Sequence, residues 1–273
     1  MTTGRNRARS YDLLPSRLTI LAVLFLLAPA LPALSQGLAS SAPAVTGVEA
    51  GPLLSSGDGW FAAATAVGVT ASAFGDGWAR REAQGAQSPE TRGLARFTQR
   101  LGDPRIVGPA LLAGYVTGRI TGLPNFSAAS ARVAGATLGA GVLCQGLKLA
   151  VGRARPDAGL ADPDDFRPFG RLDASFPSGH TTVAFAAASA IDAESEARWV
   201  PWVVYPVAAA VGWARVQQDK HWLSDVTAGA ALGFWTGRKI DQVERGQVRL
   251  FDRARFLVRG SPRNFRVGFK TRF

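Results

Sequence analysis

The chain has 273 residues and a mass of 28.7 kDa, room for one sizeable core with appendages. At 47% hydrophobic and 19% charged it is more apolar than an ordinary soluble domain, and one cysteine with two histidines excludes an internal disulfide and leaves no His/Cys set for zinc. The net charge of +11 gathers at the C-terminal end, where eleven Lys/Arg oppose three Asp/Glu from Arg238 onward; no nucleic-acid motif accompanies it.

The first 35 residues read as a signal peptide. Arg5, Arg7, Arg9 and Arg17 precede the apolar run LTILAVLFLLA at 18–28, and Pro29, Pro32 and the small residues before Gln36 supply a cleavage region. An uncleaved anchor helix is the alternative, and either reading places the remainder outside the cytoplasm, in the cell envelope or periplasm. Residues 36–57, rich in Ser, Gly, Ala and Pro, read as a linker.

Six apolar runs follow, at 59–75, 106–118, 133–147, 181–191, 199–214 and 226–237. Alanine and leucine are plentiful, period-two alternation is absent, and Gly/Pro punctuation falls between the runs. These features predict an all-α bundle of about six helices over 58–240, with the active site at helix ends. Each uncharged run has 11 to 17 residues, short of the roughly 20 that cross a bilayer core. Helices apolar nearly all round suit either a membrane or deep burial, and charged ends can snorkel. The balance leans towards membrane association. Residues 241–273 form a basic tail, in which 264–273 alternates Phe265, Val267, Phe269 and Phe273 with Arg266, Lys270 and Arg272. That period predicts a short amphipathic strand whose basic face could meet anionic headgroups.

Three segments carry chemistry. In KLAVGRARP (148–156), Lys148 and Arg155 lie seven residues apart and are predicted to share one helix face, with Pro156 ending the helix at Arg155. Two cations so placed suit a single anion, and arginine offers a planar fork for phosphate oxygens. Pro177-Ser178-Gly179-His180 reads as a helix start. Ser178 is an N-cap, Gly179 permits close backbone approach, and the free N–H groups form an anion site beside His180. In ARVQQDKHWLSD (214–225), Asp225 follows His221 by four residues, a spacing that on a helix lets the carboxylate orient the imidazole. Arg215 precedes His221 by six. Each segment alone has an ordinary structural reading, but both histidines of the chain fall inside the set.

The ordered set resembles the signature of the type 2 phosphatidic acid phosphatase and vanadium haloperoxidase superfamily. The resemblance covers 148–225 by motif and 58–240 as a bundle. One departure is Ala214, where the family usually has Ser, a hydroxyl contact of about 1 kcal/mol. The resemblance implies that His221 attacks phosphorus to give a phosphohistidine, with Asp225 holding its ring. His180 then protonates the leaving oxygen and later activates water. Lys148, Arg155 and Arg215 supply charge for the equatorial oxygens, and Ser178 and the Gly179 N–H supply neutral donors. No metal or other cofactor is implied. The expected activity is phosphatase action on a lipid phosphate or polyprenyl diphosphate. A soluble periplasmic acid phosphatase, a vanadium-dependent haloperoxidase and a degenerate phosphate or membrane binder are the alternatives. In the loop 157–175, Phe166, Arg167, Phe169 and Arg171 could meet the rest of the substrate.

Overall fold

Prolines and short polar side chains open several of the helices in the computed structural model. It describes residues 54–244 except 159–161 and 172, together with the backbone of 51–52, 248–249, 254–261 and 264–271. The signal segment 1–35 and most of the linker lie outside the described residues. Eight α-helices are described: α1 (Ser56–Phe74), α2 (Asp76–Gly85), α3 (Pro89–Thr98), α4 (Pro104–Ile120), α5 (Pro124–Val151), α6 (Gly179–Glu194), α7 (Pro201–Gln217) and α8 (Leu223–Glu244). A 3-10 turn, Gln99–Gly102, joins α3 to α4. Proline occupies the first position of α3, α4, α5 and α7, where its missing N–H has no helical partner to lose. Ser88 caps α3 through a 3.2 Å bond from the Thr91 N–H, and Asp103 caps α4 through a 2.9 Å bond from the Arg105 N–H.

All six apolar runs are helices. The two additional ones, α2 and α3, are short and charge-rich, and for that reason show no apolar run in the sequence.

Helix α6 lies at the centre, against α5, α7, α8 and the 3-10 turn. Its core face is alanine and valine, including Val183, Ala184, Ala186, Ala188 and Ala190. Small side chains bury little area each, so cohesion depends on close approach. Helix α8 achieves that approach with glycines at 229, 233 and 237, one helical turn apart. A Cβ at Gly233 would lie 2.2 Å from the Thr182 carbonyl oxygen, and one at Gly237 would lie 1.9 Å from Ser189 Oγ. Backbone therefore seats on backbone along the α6–α8 seam.

Contrary to the expected helix end at Arg155, α5 stops at Val151. Gly152 adopts the left-handed conformation (φ 63°), and a Cβ there would meet the Arg167 carbonyl oxygen at 1.9 Å. The chain then runs back along the 157–175 loop, with Ala154 N–H donating to Asp165 O and Arg167 N–H to Gly152 O. The glycine cap, four residues upstream of the proline, breaks the helix first.

Helix α5, at 28 residues, is long and apolar enough to cross a bilayer by length and composition. Large apolar side chains stand exposed on several helices, among them Trp60, Phe74, Ile120 and Trp202. Two-residue strands β1 (Gly51–Pro52) and β2 (Val248–Arg249) pair in parallel. In the tail, β3 (Ala254–Ser261) pairs antiparallel with β4 (Asn264–Thr271), with Val258 opposite Val267 and Arg259 opposite Arg266. The strand expected at 264–273 is thus β4, within a hairpin, and the described chain is all-α apart from these pairs.

Candidate active site

Four elements bring the three sequence segments to one end of the bundle. Lys148 sits on the last turn of α5 and donates to the Ala174 and Ser175 carbonyls at 2.7 and 3.1 Å, which ties α5 to the segment leading into α6. A Cβ at Gly179 would lie 3.8 Å from Lys148 Cε, so this glycine faces the lysine across the site. Ser178 holds the N-cap position of α6, but its hydroxyl makes no cap bond. It accepts instead from Thr181 Oγ1 at 2.9 Å, which leaves its own proton for donation elsewhere. The Ser178 N–H donates to the Asp225 carbonyl at 2.9 Å, joining the second segment to the third.

His221 precedes α8 and Asp225 lies in its first turn, so the pair does not share a continuous helix face as the four-residue spacing predicts. The chain instead folds round Asp225, whose Oδ2 accepts the Trp222 N–H at 2.9 Å and lies 3.6 Å from His221 Nδ1. Both side chains are buried, and His221 Nδ1 has no hydrogen-bond partner. Burial pushes the imidazole pKa down to about 3 against the opposing influence of Asp225, so the ring is neutral at physiological pH.

His180 lies in the first turn of α6, and burial, then the Arg215 charge, lowers its pKa to about 4. Asp103 opposes that drop from 3.9 Å, with the same carboxylate that caps α4. Arg215, buried on the last turn of α7, donates from Nη1 to Gln99 and Gln218, while its Nε has no partner. Arg155 lies off the helix, paired with the exposed Asp173 at 2.7 Å. Lys148, Arg155 and Arg215 all bear electrostatically on His180. The arrangement is a cationic pocket with two imidazoles that are neutral while no anion is bound. An anion beside His180 offsets the surrounding cations and favours its protonated form, so the pocket suits a group whose transfer needs a nucleophile and a proton donor.

A cavity of about 490 Å³ adjoins Arg155 under the 157–175 loop, lined in part by Arg167, Arg171 and Asp173. Phe166 instead stacks on the Arg153 guanidinium at 5.4 Å, and Phe169 is 81% exposed. The loop's two arginines therefore line the cavity and its two phenylalanines do not. Sequence reasoning passed over Asp76, Gln99, Asp103 and Arg153. Only Asp103 carries a local signal, as an acidic residue before Pro104 at a helix start. Ala214, where the resembled pattern has Ser, is fully buried.

Residues 129–242 match the model of the PAP2 superfamily. A lipid A 1-phosphatase of Porphyromonas gingivalis is 38% identical over 92 residues, 33% of this chain and 18% of that protein. A lipid A 1-phosphatase of Rhizobium johnstonii is 36% identical over 104 residues, 35% of this chain and 39% of that protein. The chain thus spans well under half the length of these curated relatives. Among solved structures, a transmembrane PAP2-type phosphatidylglycerolphosphate phosphatase from Bacillus subtilis is similar at a TM-score of 0.49 and 17% identity, covering 69% of this chain and 98% of that one. Aquifex aeolicus LpxE is similar at 0.44 and 20% identity, covering 60% and 92%.

Proposed function

We propose that this chain, whose residues 129–242 match the PAP2 superfamily model, is a metal-independent phosphatase of that superfamily working through a phosphohistidine. Its substrates are lipid phosphates or polyprenyl diphosphates, met at the membrane of the cell envelope after export. The lipid class is supported by the relatives named lipid A 1-phosphatase and by the apolar side chains exposed on several helices.

With Nδ1 of His221 turned to Asp225, Nε2 is the attacking atom. It forms a bond to phosphorus as the bond to the leaving oxygen breaks, and His180 gives that oxygen a proton. Water then attacks, yielding its proton to His180, and the P–N bond breaks to release inorganic phosphate. Lys148, Arg155 and Arg215 neutralise the charge on the equatorial oxygens, while Ser178 Oγ–H and the Gly179 N–H donate to them. The observation that carries the reading is the meeting of both histidines with three cations, two of which, Lys148 and Arg215, bear electrostatically on His221.

The test is phosphate release by the purified protein from lipid and soluble phosphate esters in chelator, with and without vanadate, beside His221→Ala. Wild type should hydrolyse the lipid ester, lose activity to vanadate and yield an acid-labile phosphoprotein. Near-normal turnover by His221→Ala overturns the nucleophile assignment, and bromination that appears only with vanadate overturns the reaction class.

A further inference from the structure

Behind His221 and Asp225 lies a buried ionic cluster that the proposed reaction does not use directly. Arg153 is 3% exposed and all three nitrogens of its guanidinium are engaged. Nη1 donates to Asp225 Oδ1 at 2.9 Å and to Ser224 Oγ at 2.6 Å, Nη2 donates to Asp76 Oδ2 at 2.7 Å, and Nε donates to the Pro163 carbonyl at 2.8 Å. The Phe166 and Trp222 rings lie against it at 5.4 and 5.5 Å. Asp76, from the first turn of α2, is 1% exposed and accepts from the Ser224 N–H and Oγ–H at 2.8 and 2.7 Å. One guanidinium thus serves two buried carboxylates, and Arg153 and Asp76 both also hold Ser224, the residue before Asp225.

We propose that Arg153 and Asp76 are a positioning pair for the nucleophile: Arg153 fixes which Asp225 oxygen faces His221, and Asp76 divides the guanidinium charge so that Asp225 is held without being overbound. The inference rests on the reading of His221 as nucleophile and Asp225 as its orienting base. Burying two carboxylates and one cation is costly unless the geometry is needed or fully satisfied. Here Asp225 has Oδ1 held by Arg153 and Oδ2 held by the Trp222 N–H, so the carboxylate is locked at both oxygens. The charged and titratable groups facing it are Arg153 from the segment after α5, His221 before α8, Lys148 from α5 and, through Arg153 and Ser224, Asp76 from α2. Arg215 from α7 acts on His221 in turn.

Charge arithmetic gives the two partners opposite signatures. Arg153→Gln removes a cation from Asp225, so that carboxylate takes up a proton at higher pH and the acidic limb of the pH–kcat profile moves upward. Asp76→Asn removes an anion and leaves Arg153 wholly to Asp225, so the limb moves downward. In both variants kcat falls, on the order of 10- to 100-fold as for other outer-shell partners, while KM changes little because neither residue reaches the phosphate. The experiment measures kcat, KM and pH–kcat profiles for wild type, the two variants, and each variant combined with Asp225→Asn. The rate effects should vanish in the Asp225→Asn background, because both residues act through that carboxylate. Unshifted limbs, limbs moving the same way, or equal losses with and without Asp225 overturn the pair. Should Arg153→Gln fail to fold, Asp76→Asn, which keeps the side-chain shape, decides alone. His221→Ala run in parallel separates the two levels. If it is active, the underlying reading fails; if it is dead while the coupling is absent, only this inference fails.

Discussion

Replacing Gly229 with alanine tests whether the α6–α8 seam sets the site's geometry. A Cβ at position 229 would lie 2.7 Å from the Ser178 carbonyl oxygen, roughly 0.7 Å inside the 3.4 Å at which ordinary contact begins, and 3.3 Å from the Ser178 amide nitrogen. That amide donates to the Asp225 carbonyl, and the Ser178 carbonyl itself receives the Thr182 N–H and hydroxyl at 2.9 Å each. Ser178 cannot yield without moving the start of α6, and with it His180, away from His221. Overpacking of this kind costs about 1–3 kcal/mol, and the alanine returns about 1 kcal/mol of helix propensity. A net loss of about 1 kcal/mol corresponds to a melting temperature lower by about 2–4 °C. The rate should suffer far more, since a displacement approaching 1 Å costs on the order of 100-fold, or about 2.7 kcal/mol of barrier. The assay pairs thermal unfolding with kcat/KM for phosphate release. Gly146→Ala is the control: no atom lies within 4 Å of its added Cβ, and it should gain about 0.5–1 kcal/mol with unchanged rate. Full activity in Gly229→Ala at an unchanged melting temperature would refute the reasoning.

Asp103→Asn keeps the cap on α4 but removes the carboxylate that opposes the lowering of the His180 pKa. On the proposed acid role of His180, the alkaline limb of kcat/KM follows loss of its proton and should move to lower pH; an unmoved limb in the pH profile would disconnect the two residues. Asp173→Ala frees the Arg155 fork from a carboxylate whose side chain is 83% exposed. An exposed pair of that kind is worth about 0.2–1 kcal/mol, so vanadate inhibition should tighten by up to about fivefold, and an unchanged inhibition constant would show that Asp173 does not compete. Glu194→Gln strips charge from a carboxylate at 2% side-chain exposure that Arg132 holds from two nitrogens, at the end of α6 away from His180. Because Arg132 is 29% exposed, the expected loss is about 2 kcal/mol, below that for a fully buried pair, with kcat per folded molecule preserved.

His180, His221 and Asp225 are legible in the sequence as candidates, because helix-start chemistry and short spacing are local properties, although the continuous helix face expected of the last two is absent. So were the six apolar helices, whose runs need no partner to be seen. From the sequence Arg155 reads as a helical cation, whereas it lies beyond the helix, because Pro156 is the louder breaker and the left-handed Gly152 depends on its contact with Arg167. Asp76 and Gln99 meet Arg153 and Arg215 across 77 and 116 positions. No periodicity encodes such a meeting, and the charge-rich α2 that delivers Asp76 offers no apolar run. Arg153 stood in plain view between Lys148 and Arg155. Burial, which spacing does not reveal, is what separates it from a surface cation.

The backbone bridge between Arg153 and Phe166 has a consequence for how such a protein can change its clientele. It fastens the loop at its waist, with Ser175 N–H bonded to the Arg153 carbonyl on one side and Ala154 N–H bonded to Asp165 O on the other. The arc between the fastenings can therefore be lengthened or exchanged at a closure cost that rises only slowly with length. Everything inside the waist keeps its place. Grafting a foreign arc between Asp157 and Asp162, so that the Pro163 carbonyl still holds Arg153 Nε, should alter which phosphate esters are accepted while the rate of the phosphorus chemistry, read with a small generic ester, stays as it was. Diversity of custom and constancy of reaction would then be written in separate stretches of one short loop.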